Sequence, residues 1–197
     1  NGVGPADIIP HYGVEAFRYY FLRHVPTQDD GDFTWEKFEA AYNGELGNDL
    51  GNLVQRVAKM VQSYQAGVIG DAPQAEHDMG PYRQAMESFM FDQAMDEIWR
   101  IIRTLNQYIE RVQPWQVAKN RDKDPEAEAH LGEILAHACG ALLQVSDMLR
   151  PFMPQTAEKI HEMFASGVVP SELTPLFPRK YLHTPDPRAP KAEAQGK

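Results

Sequence analysis

Apolar residues recur at three- and four-residue intervals through most of this 197-residue chain, and that spacing constrains the fold more than any other feature. From Trp35 to about Val68 the positions are Phe38, Tyr42, Leu46, Leu50, Leu53, Val57, Met60, Val61 and Tyr64, as in a helix that buries one face. A second long helix is predicted from near Tyr82 to Val112. Its stripe holds Met86, Phe89, Met90, Ile98, Ile101, Ile102, Leu105, Tyr108 and Ile109, and Pro114 ends it. Asp124-Pro125-Glu126 supplies a cap, a first-turn proline and a first-turn acid for a third helix reaching about Leu149. Pro151 closes that helix, and Pro154 opens a last one carrying Ile160, Met163 and Phe164. No stretch reads as a strand, so the predicted fold class is an all-α helical bundle.

The punctuation between these stretches divides the chain. Residues 1–33 read as a short N-terminal connector unit: Ile8-Ile9-Pro10-His11-Tyr12-Gly13 as connector, then a helix over Val14 to Arg23, which Pro26 stops. Thr34 is a plausible N-cap, with Glu36 in the first turn of the helix that follows. Residues 34–177 form the bundle. Within it Gly44, Gly47 and Gly51 each cost about 1 kcal/mol relative to alanine, which argues against one unbroken rod, and Gly67 to Pro73 is a loop. Residues 178–197 hold prolines and charges with little apolar material, and are expected to be a flexible polar tail, docked if at all through Tyr181 or Leu182.

With 43% hydrophobic residues the chain can bury one compact core. It has no run of eighteen apolar residues, and Asn1 to Pro5 lack the charge and hydrophobicity of a signal peptide, so membrane spanning and secretion are disfavoured. The single cysteine, Cys139, falls in an apolar-periodic stretch and is expected to be buried; a lone thiol fits the reducing cytoplasm. A formal charge of −9 excludes a protein that coats nucleic acid indiscriminately, and leaves room only for a local, geometrically specific RNA site.

Catalytic and metal chemistry find no footing in the residue pattern. The seven histidines are scattered, His130 and His137 stand two turns apart, and no cysteine pair, phosphate-cradling loop or nucleophile motif is present. Asp29, Asp30 and Asp32 resemble the start of a calcium loop but lack its later ligands. No catalytic residue and no metal ligand is therefore expected.

Two constellations suit RNA instead. Asn52 and Arg56, four residues apart, share a helix face, where an amide and a guanidinium can bond base edges or phosphates; a local bond for Asn52 and a surface ion pair for Arg56 are the plain alternative. Pro114-Trp115 leaves an indole at a helix end, where it can stack on an unpaired base or pack beneath the bundle. Lys119, Arg121 and Lys123 follow as candidate contacts to the RNA backbone. Trp35 and Trp99 read as core or half-core residues.

These residues are also familiar in combination. Tyr12-Gly13-Val14-Glu15-Ala16-Phe17-Arg18-Tyr19-Tyr20-Phe21-Leu22, Asp30-Gly31-Asp32-Phe33, Tyr42-Asn43 and Leu50-Gly51-Asn52-Leu53 with Arg56 resemble methionyl-tRNA synthetases just downstream of their KMSKS loop. Pro114-Trp115 with Ala118-Lys119, and Leu149-Arg150-Pro151-Phe152-Met153-Pro154, extend the likeness to about Phe177. Fragments recur in class I synthetases for valine, isoleucine, leucine and cysteine, whereas the ordered set is that of methionine. The resemblance implies a class I synthetase anticodon-binding bundle that reads the CAU anticodon of methionine tRNA, joined by a stem-contact connector to a catalytic domain. It maps anticodon contacts onto Asn52, Arg56, Pro114 and Trp115. It further implies that ATP and magnesium serve the catalytic part, whose HIGH and KMSKS motifs precede Asn1, so that this chain alone is expected to be inactive and to hold no cofactor. The optional C-terminal tRNA-binding module of the family is not recognisable. A helical protein-interaction scaffold derived from such a bundle, and an anticodon reader for another amino acid, are the alternatives.

Overall fold

The computed structural model describes residues 2–25, 32–70, 77–121 and 123–188. Its elements are α1 (Pro5–Tyr12), α2 (Val14–His24), α3 (Trp35–Ala41), a π-helix (Tyr42–Gly51) and α4 (Asn52–Gln65). There follow α5 (Gly80–Glu87), α6 (Phe91–Val112), α7 (Pro114–Lys119), α8 (Ala127–Leu149) and α9 (Pro154–Phe164). Among the described residues no strand forms, and a single antiparallel bridge pairs Val68 with Val168. The all-α reading holds. α6 is the organising rod because its apolar residues, Met95, Ile98, Trp99, Ile102, Leu105 and Ile109 among them, are spaced to face α2, the π-helix and α8 along one buried stripe.

The N-terminal region is more ordered than a connector. Pro5 opens α1, the Gly4 amide donates to Asp7 Oδ2 at 2.8 Å, and Ile8 and Tyr12 are buried. Gly13, at φ +87°, makes the corner into α2 that a side chain would strain. From α2 the Glu15 carboxylate accepts from the amides of Gln155 (2.6 Å) and Thr156 (3.0 Å) and from Thr156 Oγ1 (2.6 Å). A carboxylate at the positive end of α9 satisfies its first-turn donors from another part of the chain. Connector and bundle thereby share one continuous core. Asp29 and Asp30 lie outside the described residues, and Asp32 pairs with Lys37 at 3.1 Å.

Thr34 caps α3 as expected, its Oγ1 accepting from the Lys37 amide at 3.2 Å. The predicted rod over 35–68 is interrupted, because α3 widens into the ten-residue π-helix before α4 begins. Gly51 finds its reason there: a Cβ would stand 3.1 Å from the Leu46 carbonyl, so the widened turn needs the space, while the Phe177 ring passes at an ordinary contact distance of 3.9 Å.

Over residues 178–188 that passing chain corrects the reading of a flexible polar tail. Residues 178–188 form a strap on the outside of α3 and the π-helix. Tyr42 donates its hydroxyl to the Pro178 carbonyl at 3.0 Å, and the Asn43 side chain both donates to the Lys180 carbonyl (2.7 Å) and accepts from its amide (2.9 Å). The buried Glu39 carboxylate accepts from the amides of Leu182 (2.8 Å), His183 (2.8 Å) and Thr184 (3.0 Å), and from the hydroxyls of Thr184 and Tyr12. His183 stacks on Trp35 at 3.5 Å. Docking runs through main-chain groups together with the Thr184 hydroxyl and the His183 ring, and the Leu182 side chain stays exposed. Residues 189–197 lie outside the described residues, as do 71–73 of the expected loop.

Three boundaries also move. The helix expected over 82–112 is two, separated where Phe89 takes a left-handed φ of 56°; Phe89 and Met90 are consequently exposed rather than on the apolar stripe. Gln113, at φ 48°, turns α6 into α7, so Pro114 starts a helix as well as ending one. Asp124 accepts from the Glu126 amide at 2.9 Å and so caps the preceding turn, with α8 starting at Ala127. Cys139 and Trp99 are buried, and Trp35 is half-buried.

Candidate nucleic-acid interface

At one side of the bundle α4 packs on the short α7 and, through the Arg56 side chain, reaches the last turns of α6 at Asn106 and Glu110. Residues of α4 spaced by three and four, Asn52, Arg56, Lys59, Ser63 and Tyr64, line an open groove of about 420 Å³ there. Asn52 is exposed, and among the described residues its amide donates only to Asn48 Oδ1 at 3.3 Å, so most of its bonding capacity faces water. Arg56 is half-buried: it donates to Asn106 Oδ1 at 2.9 Å and pairs with Glu110, both on α6. The ion-pair alternative for Arg56 is thus realised, but with a side chain still 34% exposed on the groove.

Asn106 explains how the guanidinium is held. Its amide nitrogen donates to the carbonyls of Asp49 (3.3 Å) and Ile102 (3.2 Å), which leaves its oxygen turned to Arg56. One side chain therefore ties the end of the π-helix, α6 and α4 together. Behind it lies a polar cluster in which Arg23 reaches Glu45 (3.2 Å) and Asp96 (3.1 Å) and covers the Trp99 ring at 4.8 Å. Burial pushes the Glu45 carboxyl up to about 7, with Asp49 and Asp96 adding and Arg103 opposing. This cluster fixes the π-helix against α2 and α6 and leaves the groove to other residues.

Pro114 is buried and seats α7 against α8 and α4, while the Trp115 ring is half-buried against the core. Among the described residues no aromatic ring stacks on the indole. Lys119 and Lys123 are exposed and have no ion-pair partner among the described residues. Arg121 is engaged: it donates to the Tyr64 carbonyl at 2.6 Å, pairs with Glu128 at 3.1 Å and lies 5.6 Å from the Tyr64 ring. Asn52 and Arg56 therefore share one groove, α7 flanks the helix that carries them, and Arg121 serves chiefly to tie the α7–α8 turn to α4.

Sequence reasoning missed Lys59, Tyr64, Asn106 and Glu110. For Lys59 the signal was present, since 52, 56, 59 and 63 continue one helical face. For Asn106 and Glu110 only the i,i+4 pairing was legible, and nothing in sequence said which helix they meet. Among the described residues no group of three or more histidine, cysteine or acidic side chains is placed to hold a metal, and no helix is long and apolar enough to cross a membrane.

Known proteins give this geometry a context. Residues 1–58 match the family described as tRNA synthetases class I (M), and residues 80–192, more than half of the chain, match the anticodon-binding domain of tRNA ligase. Methionine–tRNA ligase of Streptomyces coelicolor is 40% identical over 87% of this chain and 33% of its own length; that of Bacillus subtilis is 36% identical over 82% and 26%. The chain thus spans about a third or less of these curated relatives. The free-state crystal structure of Mycobacterium tuberculosis methionyl-tRNA synthetase superposes with a TM-score of 0.81 at 25% identity, covering 91% of this chain and 41% of that one. The same enzyme bound to methionyl-adenylate gives 0.78 at 26% identity. On fold, matched length and relatives together, the chain belongs to the anticodon-binding domains of tRNA ligases, with its likeness to those of the methionyl-tRNA synthetases.

Proposed function

We propose that this chain reads the CAU anticodon of methionine tRNA on behalf of a cytoplasmic methionine–tRNA ligase. The observation that carries the reading is the placement of an exposed amide and a half-exposed guanidinium, Asn52 and Arg56, in one groove beside the helix that bears Trp115. In this reading Asn52 and Arg56 hydrogen-bond the edges of splayed bases, and the Trp115 indole stacks on one of them, worth about 1–3 kcal/mol. Glu110 partly neutralises Arg56, which damps indiscriminate attraction to phosphate and lets base-edge geometry decide. Lys119 and Lys123 supply local backbone contacts against the chain's overall negative charge.

In this reading attachment of methionine, with its ATP and magnesium, falls to the part of such a ligase that this chain does not span. The bundle's task is to hold the tRNA so that its acceptor end reaches the catalytic domain, and this chain alone is inactive. The test replaces Trp115 by alanine and measures binding of a CAU anticodon hairpin, with circular dichroism confirming that the variant is folded at the assay temperature. A loss of about tenfold or more supports the reading. A folded variant that binds as tightly as the parent favours a protein-interaction scaffold, and preference for a hairpin of another amino acid's tRNA favours a different class I synthetase.

A further inference from the structure

On the side of α6 away from Asn106 and Glu110, a second cleft of about 460 Å³ opens between α6, α8 and the segment at His77, lined by His77, Thr104, Leu105, Tyr108, Arg111 and His137. At 100° per residue, positions 104, 108 and 111 of α6 point away from 106 and 110, so this cleft and the groove are separate surfaces. We infer that the cleft is an anion site that takes a phosphate group.

Its chemistry is one-sided. In a chain where acids outnumber bases by 28 to 19, none of the described lining residues is a carboxylate. Arg111 lies 5.8 Å from the Tyr108 ring and has no ion-pair partner among the described residues. The His137 ring stands 4.8 Å from that of Tyr108. His77 is held by its main chain, which exchanges hydrogen bonds of 3.2 and 3.0 Å with the Gln144 side chain; its ring nitrogen Nε2 is buried without a hydrogen-bond partner. A buried donor or acceptor left alone calls for a polar partner, water or ion. Burial lowers the pKa of both imidazoles, and His137 and Arg100 lower that of His77 further. Glu133, which bears on Tyr108, is exposed one turn before His137 and does not fill the deficit.

A phosphate answers each of these conditions at once. Its oxygens accept from Arg111, from the Tyr108 hydroxyl and from the two imidazoles, which gain protons in its field. The phenol face and Leu105 give an organic substituent an apolar wall. Two sources carry this chemistry, a free phosphate ester and a backbone phosphate of RNA, and the inference does not rest on the anticodon reading.

The experiment follows the imidazole nitrogen–proton correlations of His77 and His137 by NMR at constant ionic strength, with exposed His130 as internal reference. Inorganic phosphate, AMP and an RNA hairpin without a CAU loop are titrated in separate arms. Saturable shifts at His77 and His137, absent at His130 and weakened roughly tenfold by Arg111→Gln, support the site. Saturation by phosphate or AMP identifies a free ester as its ligand, and saturation by the hairpin alone identifies an RNA backbone. Arg111 is exposed, so its substitution leaves the core intact. Shifts that fail to saturate in all three arms, that His130 shares, or that Arg111→Gln leaves unchanged overturn the inference.

Discussion

The π-helix treats its two neighbours in opposite ways. Along its outer flank three side chains are committed internally: Glu39, just before it on α3, takes five donors, Asn43 bonds the main-chain carbonyl and amide of Lys180, and Tyr42 closes on Pro178. At its far end, where it passes into α4, Asn52 and Arg56 keep bonding capacity turned to solvent, and only Asn106 and Glu110 restrain the guanidinium. Saturated polar contacts inside the fold give rigidity, because a buried group robbed of its partner is costly. In the proposed reading half-satisfied contacts at the rim serve recognition, because a ligand can complete them. The same ten-residue widening serves both by setting the strap on one side and orienting Arg56 on the other.

Substitutions should separate the two behaviours. Glu39→Ala strands three amides and two hydroxyls, and we expect it to lower the unfolding free energy by about 1–3 kcal/mol, read from urea midpoints. A loss below 1 kcal/mol would mean the strap is not a committed element. Arg56→Ala should do the reverse: less than about 1 kcal/mol in stability, since the pair it breaks is partly exposed, with a tenfold or greater loss of hairpin affinity. Asn106→Ala should reproduce part of the affinity loss through misorientation of Arg56, and should add little to it in the double variant.

Acid sharpens the contrast further. Burial alone would raise the Glu39 carboxyl, yet the bonds from Thr184, Tyr12, His183 and Leu182 hold it below the usual range. Its stabilising contribution is therefore complete above the unfolded value of about 4.3 and fades as pH falls through the lower folded value. Hydrogen exchange at the Leu182, His183 and Thr184 amides should accelerate over that window, relative to amides of α6. The smallest effect is expected at Lys119: replacement by alanine should reduce the salt dependence of hairpin binding by about one unit of slope and leave the melting temperature unchanged.

How far the sequence carries this picture depends on the kind of signal. Helices with a long apolar stripe, α6 and α8, and stops made by Pro151 and Pro154 are legible because burial and proline act locally. The π-helix is not, since Gly44, Gly47 and Gly51 signal only a weakness in a rod, and the chain that passes Gly47 and Gly51, at Phe177, is more than a hundred residues away. The strap escapes for a related reason: it is held by main-chain bonds to Glu39 and Asn43, which leave no apolar pattern. At the groove, Asn52 and Arg56 are legible as an i,i+4 pair, while Asn106 and Glu110 acquire meaning only once α6 lies beside α4.

The most direct test of the central claim measures Kd for two anticodon hairpins that differ only in the CAU triplet, at one stated salt concentration, for the parent chain and for Arg56→Ala. The account predicts that the parent prefers CAU by at least tenfold and that Arg56→Ala removes most of that preference while remaining folded. Equal affinity of the parent for both hairpins would contradict it.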